Sequence, residues 1–139
     1  MADHEQIRQK FNTDPFAVAV GVSVTEVSDG YAVAEAEVSG EMANTISTAH
    51  GGLIFAVADE AFAAASNSDN MTRVAQHVSI SFTRPAVVGQ MLRATAKLVT
   101  QTKNTAIYHV EVSNEQGKIV ASCQCVAYSL GTPYIADPE

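Results

Sequence analysis

Charge is scarce in this sequence, and positive charge scarcest. Charged residues make up 17% of its 139 positions, and 8 Lys and Arg stand against 15 Asp and Glu, for a formal net charge of −7. That balance argues against a nucleic-acid-binding surface, although a few local Lys or Arg residues suffice to hold an anionic ligand. No apolar run has membrane-spanning length without interruption by Asp59 and Glu60. The first residues, MADHEQIRQKF, carry no basic stretch followed by an apolar one, so no secretory signal is visible and a cytoplasmic location is expected. There are only two cysteines, Cys123 and Cys125, on one face of a strand-like run. That spacing pairs them poorly with each other and offers no metal-ligand pattern. Two small buried thiols are expected, with no metal and no cofactor.

What remains is apolar, at 47% of the chain, and its length fits one domain with a real core. The pattern predicts helical character over 3–11, with Ile7 and Phe11 on one face, and a short helix over 14–19 entered at Asp14-Pro15 and stopped by Gly21. Val22 to Val27 and Tyr31 to Val38 alternate as paired strands about the turn Ser28-Asp29-Gly30. Residues 39–49 read as a polar linker, 51–66 as an apolar helix, and Ser66 to Asn70 as a loop. Four further strands are predicted over 73–84, 91–102, 105–113 and 119–129, and the tail 131–139 is expected to be loose. This is an α+β domain in which a curved antiparallel sheet wraps one long central helix. Open strand edges make a homodimer the expected state.

The central helix carries the chemistry. It is apolar on nearly every side, as core helices are, yet Asp59 and Glu60 lie in its middle, where an unpaired charge is strongly disfavoured. They point about 100° apart, so periodicity alone does not choose between them. Asp59 shares its face with Phe55, Ala56, Phe62 and Ala63, the more apolar set, and is the favoured one. Gly51 and Gly52 open the helix with backbone N–H groups at its positive end, suited to a developing oxyanion. Eight residues of helix put Gly51 and Asp59 roughly 12 Å apart, too far to act on one carbonyl. Two antiparallel copies could bring one chain's Gly51 to the other's Asp59. The alanines at 56, 58, 61, 63, 64 and 65 fit either that close helix packing or simple packing on the sheet.

The stretch HGGLIFAVADEAFAAASNS resembles the central-helix signature of the hotdog-fold acyl-CoA thioesterases, most closely the phenylacetate-degradation branch. DPFAVAVGVSV and SISFTRPAVVGQMLRATAKLV resemble that family's first helix and strand, and its strand, Arg-Pro turn and next strand. The resemblance implies hydrolysis of acyl-CoA thioesters, of phenylacetyl or hydroxyphenylacetyl type, with coenzyme A part of the substrate. It implies Asp59 as catalytic carboxylate, Gly51 as the amide that polarises the thioester carbonyl, and Asn44 as a residue that positions water or substrate. It also implies that Asp59 acts on a thioester held by the neighbouring subunit, in a dimer or dimer of dimers. His50 matches the motif histidine, expected to orient the loop at the helix start. Where relatives carry a Ser or Thr after the helix, this chain has Val74-Ala75-Gln76-His77, with Gln76 as the candidate substitute.

Further substrate contacts are expected at Gly52, at Phe55, Phe62 and Asn67 around the acyl group, and at Arg84, Lys103 and Asn104 toward the phosphates. Arg73, Arg93 and Lys97 read as plain surface residues, and His77 and His109 as structural. A non-catalytic acyl-CoA-binding module is the alternative function, disfavoured by the retained carboxylate. A hotdog dehydratase or hydratase ranks last, because its His-and-carboxylate pattern is absent.

Overall fold

The computed structural model describes residues 3–136. Two short helices come first. Asp3 caps α1 (His4–Phe11) through a reciprocal capping box with Gln6. Asp14 caps α2 (Pro15–Val20), whose first position is the proline, and Gly21 ends it at φ 78°, a left-handed conformation that costs glycine little. Six strands follow: β1 (Val22–Ser28), β2 (Tyr31–Glu37), β3 (Met71–Phe82), β4 (Met91–Gln101), β5 (Thr105–Ser113) and β6 (Ile119–Pro133), with the long helix α3 (Gly51–Ser66) between β2 and β3. They form one antiparallel sheet in the order β1-β2-β4-β5-β6-β3. The sheet wraps α3, which is the hotdog architecture expected from the sequence.

Alternation explains the packing. On β5, Ala106, Tyr108, Val110 and Val112 are buried while their neighbours are not. They join Leu92, Ala94 and Ala96 of β4 and Ala32, Ala34 and Ala36 of β2 under α3. Small residues on the sheet let the helix sit close. Phe62 and Tyr108 fill the remaining depth, ring centroids 5.7 Å apart, each contributing roughly 1.5–3 kcal/mol of burial. Cys123 and Cys125 are buried free thiols of β6, as expected.

The two sheet edges differ. At β1, Asn12 lies alongside as a strand would: its Oδ1 accepts from the Val24 amide at 2.8 Å, and its Nδ2 donates to the Val24 carbonyl at 3.0 Å. At the other end, β3 pairs only with β6 and leaves one long side uncovered. Gln76 is the extra residue of a bulge there, between the pairs Ala75–Ala127 and His77–Val126.

Three expectations need correction. The linker is not featureless: it holds a 3₁₀ turn at Gly40–Met42 and bridges joining Ala43 to Ala49 and Thr48 to Val87. The tail is held as far as it is described. β6 runs through Pro133, Tyr134 stacks on Phe11 at 4.9 Å under the Lys10 ammonium, and Asn70 accepts from the Ile135 amide while donating to its carbonyl. Only 137–139 of the expected loose tail lie outside the described residues. Arg73 is not a surface residue. Its guanidinium is buried, bonded to the Ser66 carbonyl at 2.7 Å and in a fork to both oxygens of Asp69 at 2.7 and 2.9 Å. Burial works to raise the Asp69 pKa, but Arg73 and the Met71 amide outweigh it and hold the carboxyl below its usual range. The clasp satisfies an orphan carbonyl at the end of α3. Arg73→Ala is expected to cost about 2–4 kcal/mol of stability, seen as a lower denaturant midpoint, since it strips a buried carbonyl of its donor.

Candidate active site

His50 sets the helix start. It is the N-cap of α3 in extended conformation, and its Nδ1 accepts the Gly52 amide at 2.8 Å. An accepting Nδ1 places the ring proton on Nε2. The carbonyl of His50 takes the Leu53 and Ile54 amides at 2.9 and 3.3 Å. Of the first four amides, three are thereby committed. The Gly51 N–H has no partner among the described residues and lies at the positive end of the helix. His50 thus caps the helix start, and the Gly52 amide, expected to contact substrate, is already spent on His50.

The Gly51 amide borders a cavity of about 360 Å³ lined by Asn44, Thr48, Ala49, Gly51, Ile54 and the segment Phe82 to Pro85. Asn44 organises the near wall. Its Oδ1 accepts from the Ile46 and Thr48 amides, each at 3.1 Å, and its Nδ2 donates to the Thr48 hydroxyl at 2.8 Å. The Ala49 amide donates to the Ala86 carbonyl at 2.8 Å, which ties this loop to the segment bearing Arg84. Asn44, Gly51 and Arg84, distant in sequence, thus share one cavity.

Asp59 lies two turns along α3. The helix buries every side but one. The less buried stripe runs through Gly51, Phe55, Asp59 and Ala63, with Phe55 37% exposed and Asp59 and Ala63 half-buried. Of the residues the sequence grouped with Asp59, Phe55 and Ala63 share this open stripe, whereas Ala56 and Phe62 are buried. Burial, then the nearby Asp14 carboxyl, push the Asp59 pKa upward. Asp59 does not line the cavity at Gly51, which agrees with the spacing of about 12 Å along the helix.

The more deeply buried carboxyl is Glu60, 6% exposed. The apolar-face comparison pointed away from it because β1, α1 and α2, which cover that side, contribute from elsewhere in the chain.

Other expected contacts fall elsewhere. Phe62, at 1% exposure, is a core ring against Tyr108 and meets no cavity at the helix start. Asn67 is the buried C-cap of α3. It donates to the Ala63 and Arg73 carbonyls and accepts the Arg73 amide at 3.0 Å, so its polar atoms are fully used in structure. Lys103 and Asn104 sit in the β4–β5 turn. Neighbouring Gln101 and Leu98 face Ser68 and Asp69, at the opposite end of α3 from Gly51. Gln76 is exposed at the β3 bulge, apart from the same protomer's cavity. Phe55 remains on the open stripe beside Asp59.

The thioesterase superfamily model matches residues 47–121, which span the end of the cavity loop, α3 and strands β3, β4 and β5. The acyl-coenzyme A thioesterase PaaI of Escherichia coli is 36% identical over 121 residues, covering 87% of this chain and 86% of that protein. The solved structure of E. coli PaaI, described as from the phenylacetic acid degradation operon, superposes with a TM-score of 0.86 over 90% of this chain and 91% of that one at 35% identity. A mutant of the phenylacetic acid degradation protein PaaI from Thermus thermophilus superposes at 0.80, with 38% identity over 84% of this chain and all of that one. Fold, motif and likeness over nearly the whole chain agree, and the chain belongs to the thioesterase superfamily as a hotdog-fold enzyme.

Proposed function

We propose that the protein hydrolyses acyl-CoA thioesters, with aromatic acyl groups of the phenylacetyl or hydroxyphenylacetyl type preferred, to the free acid and coenzyme A. The observation that carries this reading is the Gly51 amide, without a partner among the described residues, at the mouth of a cavity shared with Asn44 and Arg84. Either Asp59 of the opposite protomer takes a proton from a water that adds to the thioester carbonyl, or its carboxylate adds and water then hydrolyses the anhydride left when the thiolate departs. The carbonyl oxygen takes up the negative charge, facing the Gly51 amide and the helix dipole. Collapse expels the thiolate, which leaves readily without a strong general acid and then takes a proton. Asn44 holds the loop that walls the site. Phe55, on the stripe with Asp59, borders the acyl group.

A site built from two protomers requires a homodimer, and a dimer of dimers follows the family resemblance. The uncovered side of β3 supports pairing with a second copy. Arg84 is exposed on the cavity rim and offers its charge to the coenzyme A phosphates. Arg84→Ala is expected to raise KM for phenylacetyl-CoA about tenfold with little change in kcat, as loss of a charged contact made equally before and during reaction would do. The reading itself is tested by thiol release from a panel of aromatic, short-chain and long-chain acyl-CoAs. Binding without hydrolysis of any of them would favour the acyl-CoA-binding module instead. No described helix is long and apolar enough to cross a membrane, and a cytoplasmic site of action belongs to the same proposal.

A further inference from the structure

Glu60 has no part in the chemistry just described, yet its place in the fold is unusual. Its carboxyl is sealed under the N-terminal helices, and Oε1 has no hydrogen-bond partner among the described residues. No salt bridge to Glu60 occurs among them either. The groups that bear on it come from three elements. Asp14, the N-cap of α2, lies within hydrogen-bonding reach. Asp59 precedes it on α3. Tyr134, from the segment after β6, feels the charge of both Glu60 and Asp14. Lys10 of α1, on that side, turns its ammonium to the Tyr134 carbonyl at 2.6 Å and to its ring. On the other side of Asp59 are the thiols of Cys123 and Cys125, which its charge also reaches. Burial first, then Asp59 for Cys123 and both Cys123 and Asp59 for Cys125, pushes the thiols up to about 11 and about 12, so they stay neutral.

Three carboxyls close together, with Glu60 buried and no cation facing them among the described residues, do not all ionise readily. We propose that Glu60 is a positioning residue: in its neutral form its O–H donates a hydrogen bond to the Asp14 carboxylate, and this fixes α2 against α3 and leaves Asp59 as the ionised acid available for reaction. The proposal rests on the reading of Asp59 as the reacting carboxylate. The chemistry of each site agrees with that division. Glu60 is the most enclosed, and burial, followed by the charge and hydrogen bond of Asp14, lifts its pKa to about 8. Asp14 accepts the Phe16 amide at 3.2 Å as a helix cap. Asp59 has the open stripe and access to water.

Glu60 holds its proton more tightly in the folded chain than its ordinary value of 4.5 allows. Between that value and about 8 the native state binds more protons than the unfolded one, so this group's contribution to stability falls as pH rises. Above about 8 the Glu60 proton is lost, and two facing carboxylates push α2 from α3.

The test compares wild type, Glu60→Gln and Asp14→Asn. Carboxyl ¹³C NMR of glutamate-labelled protein reads Glu60 without turnover. One resonance titrating near 8, absent from Glu60→Gln, is expected, and all glutamates titrating near their ordinary value would overturn the proposal. In thiol-release profiles, the wild-type rate declines above about pH 8, and that decline disappears in Glu60→Gln, whose amide donates to Asp14 at every pH. Asp14→Asn keeps the cap but removes the charge that raises Asp59, so its acid limb moves to lower pH. An alkaline limb unchanged in Glu60→Gln, with Asp59→Asn inactive, overturns the positioning role alone. Full activity in Asp59→Asn overturns the reading beneath it.

Discussion

Asp59→Asn is expected to fold as the parent does and to lose about 10²–10⁴ of kcat on phenylacetyl-CoA, the contribution of a positioned base. Two features of the structure make the loss specific to chemistry. Asp59 is half-buried on the one open stripe of α3 and holds no described hydrogen bond that packing depends on. The amide is also isosteric and relieves the desolvation that raises the acid's pKa, so the variant should be as stable as wild type or more so. Thermal unfolding run beside thiol release separates the two effects. An intact melting curve with near-parental turnover would remove Asp59 from the mechanism.

The second large effect concerns the sharing of one site between two chains. Gly51 is the first residue of α3, the position where proline is best tolerated in a helix. The preceding His50, at φ −60° and ψ 139°, already has the extended conformation that proline demands of its neighbour. A Cβ on Gly51 would meet the Phe82 ring no closer than 3.6 Å, an ordinary contact. Gly51→Pro therefore deletes the one free amide of the helix start while keeping the helix. A loss of about 10²–10³ in kcat is expected, as for removal of an oxyanion donor.

Gly51→Pro and Asp59→Asn can then be mixed. Each is nearly inactive alone. When they are unfolded together and refolded in equal amounts, half of the dimers carry one chain of each kind. In those dimers one site has both lesions and the other has neither, so about a quarter of parental activity should return. If Gly51 and Asp59 served the same chain's site, mixing would restore nothing. The recovered fraction thus measures whether the acid and the amide meet across two chains.

The helices and strands were legible because each carries its own period and punctuation. Asp14-Pro15 and Gly21 bracket α2, the alternation of Tyr31 to Val38 marks β2, and His50-Gly51-Gly52 opens α3. Within the site, Gly51, Asn44 and Arg84 were readable from motif and resemblance, and the fold gathers them around one cavity. What failed depended on contacts between distant segments. Arg73 looks like any strand arginine until Asp69 and the Ser66 carbonyl close on it. Tyr134 looks like part of a loose end until Phe11, Lys10 and Asn70 hold its surroundings. Phe62 and Phe55 are equivalent as letters in an apolar run, and only the sheet's curvature decides that the first faces Tyr108 and the second faces outward. Glu60 is the same case in reverse, since its lid is made of residues some 45 positions earlier in the chain.

Asn12, laid along β1, has a bearing on aggregation. A sheet with two bare margins can add copies at both ends without limit and grow into a fibre. Here the side chain of Asn12 already occupies the Val24 peptide groups, so an added strand at β1 would have to displace it, while β3 offers its whole outer side. Joining two molecules through β3 uses the more open margin of each and leaves the interrupted one outward. Replacing Asn12 with a residue that cannot mimic a peptide would remove that interruption.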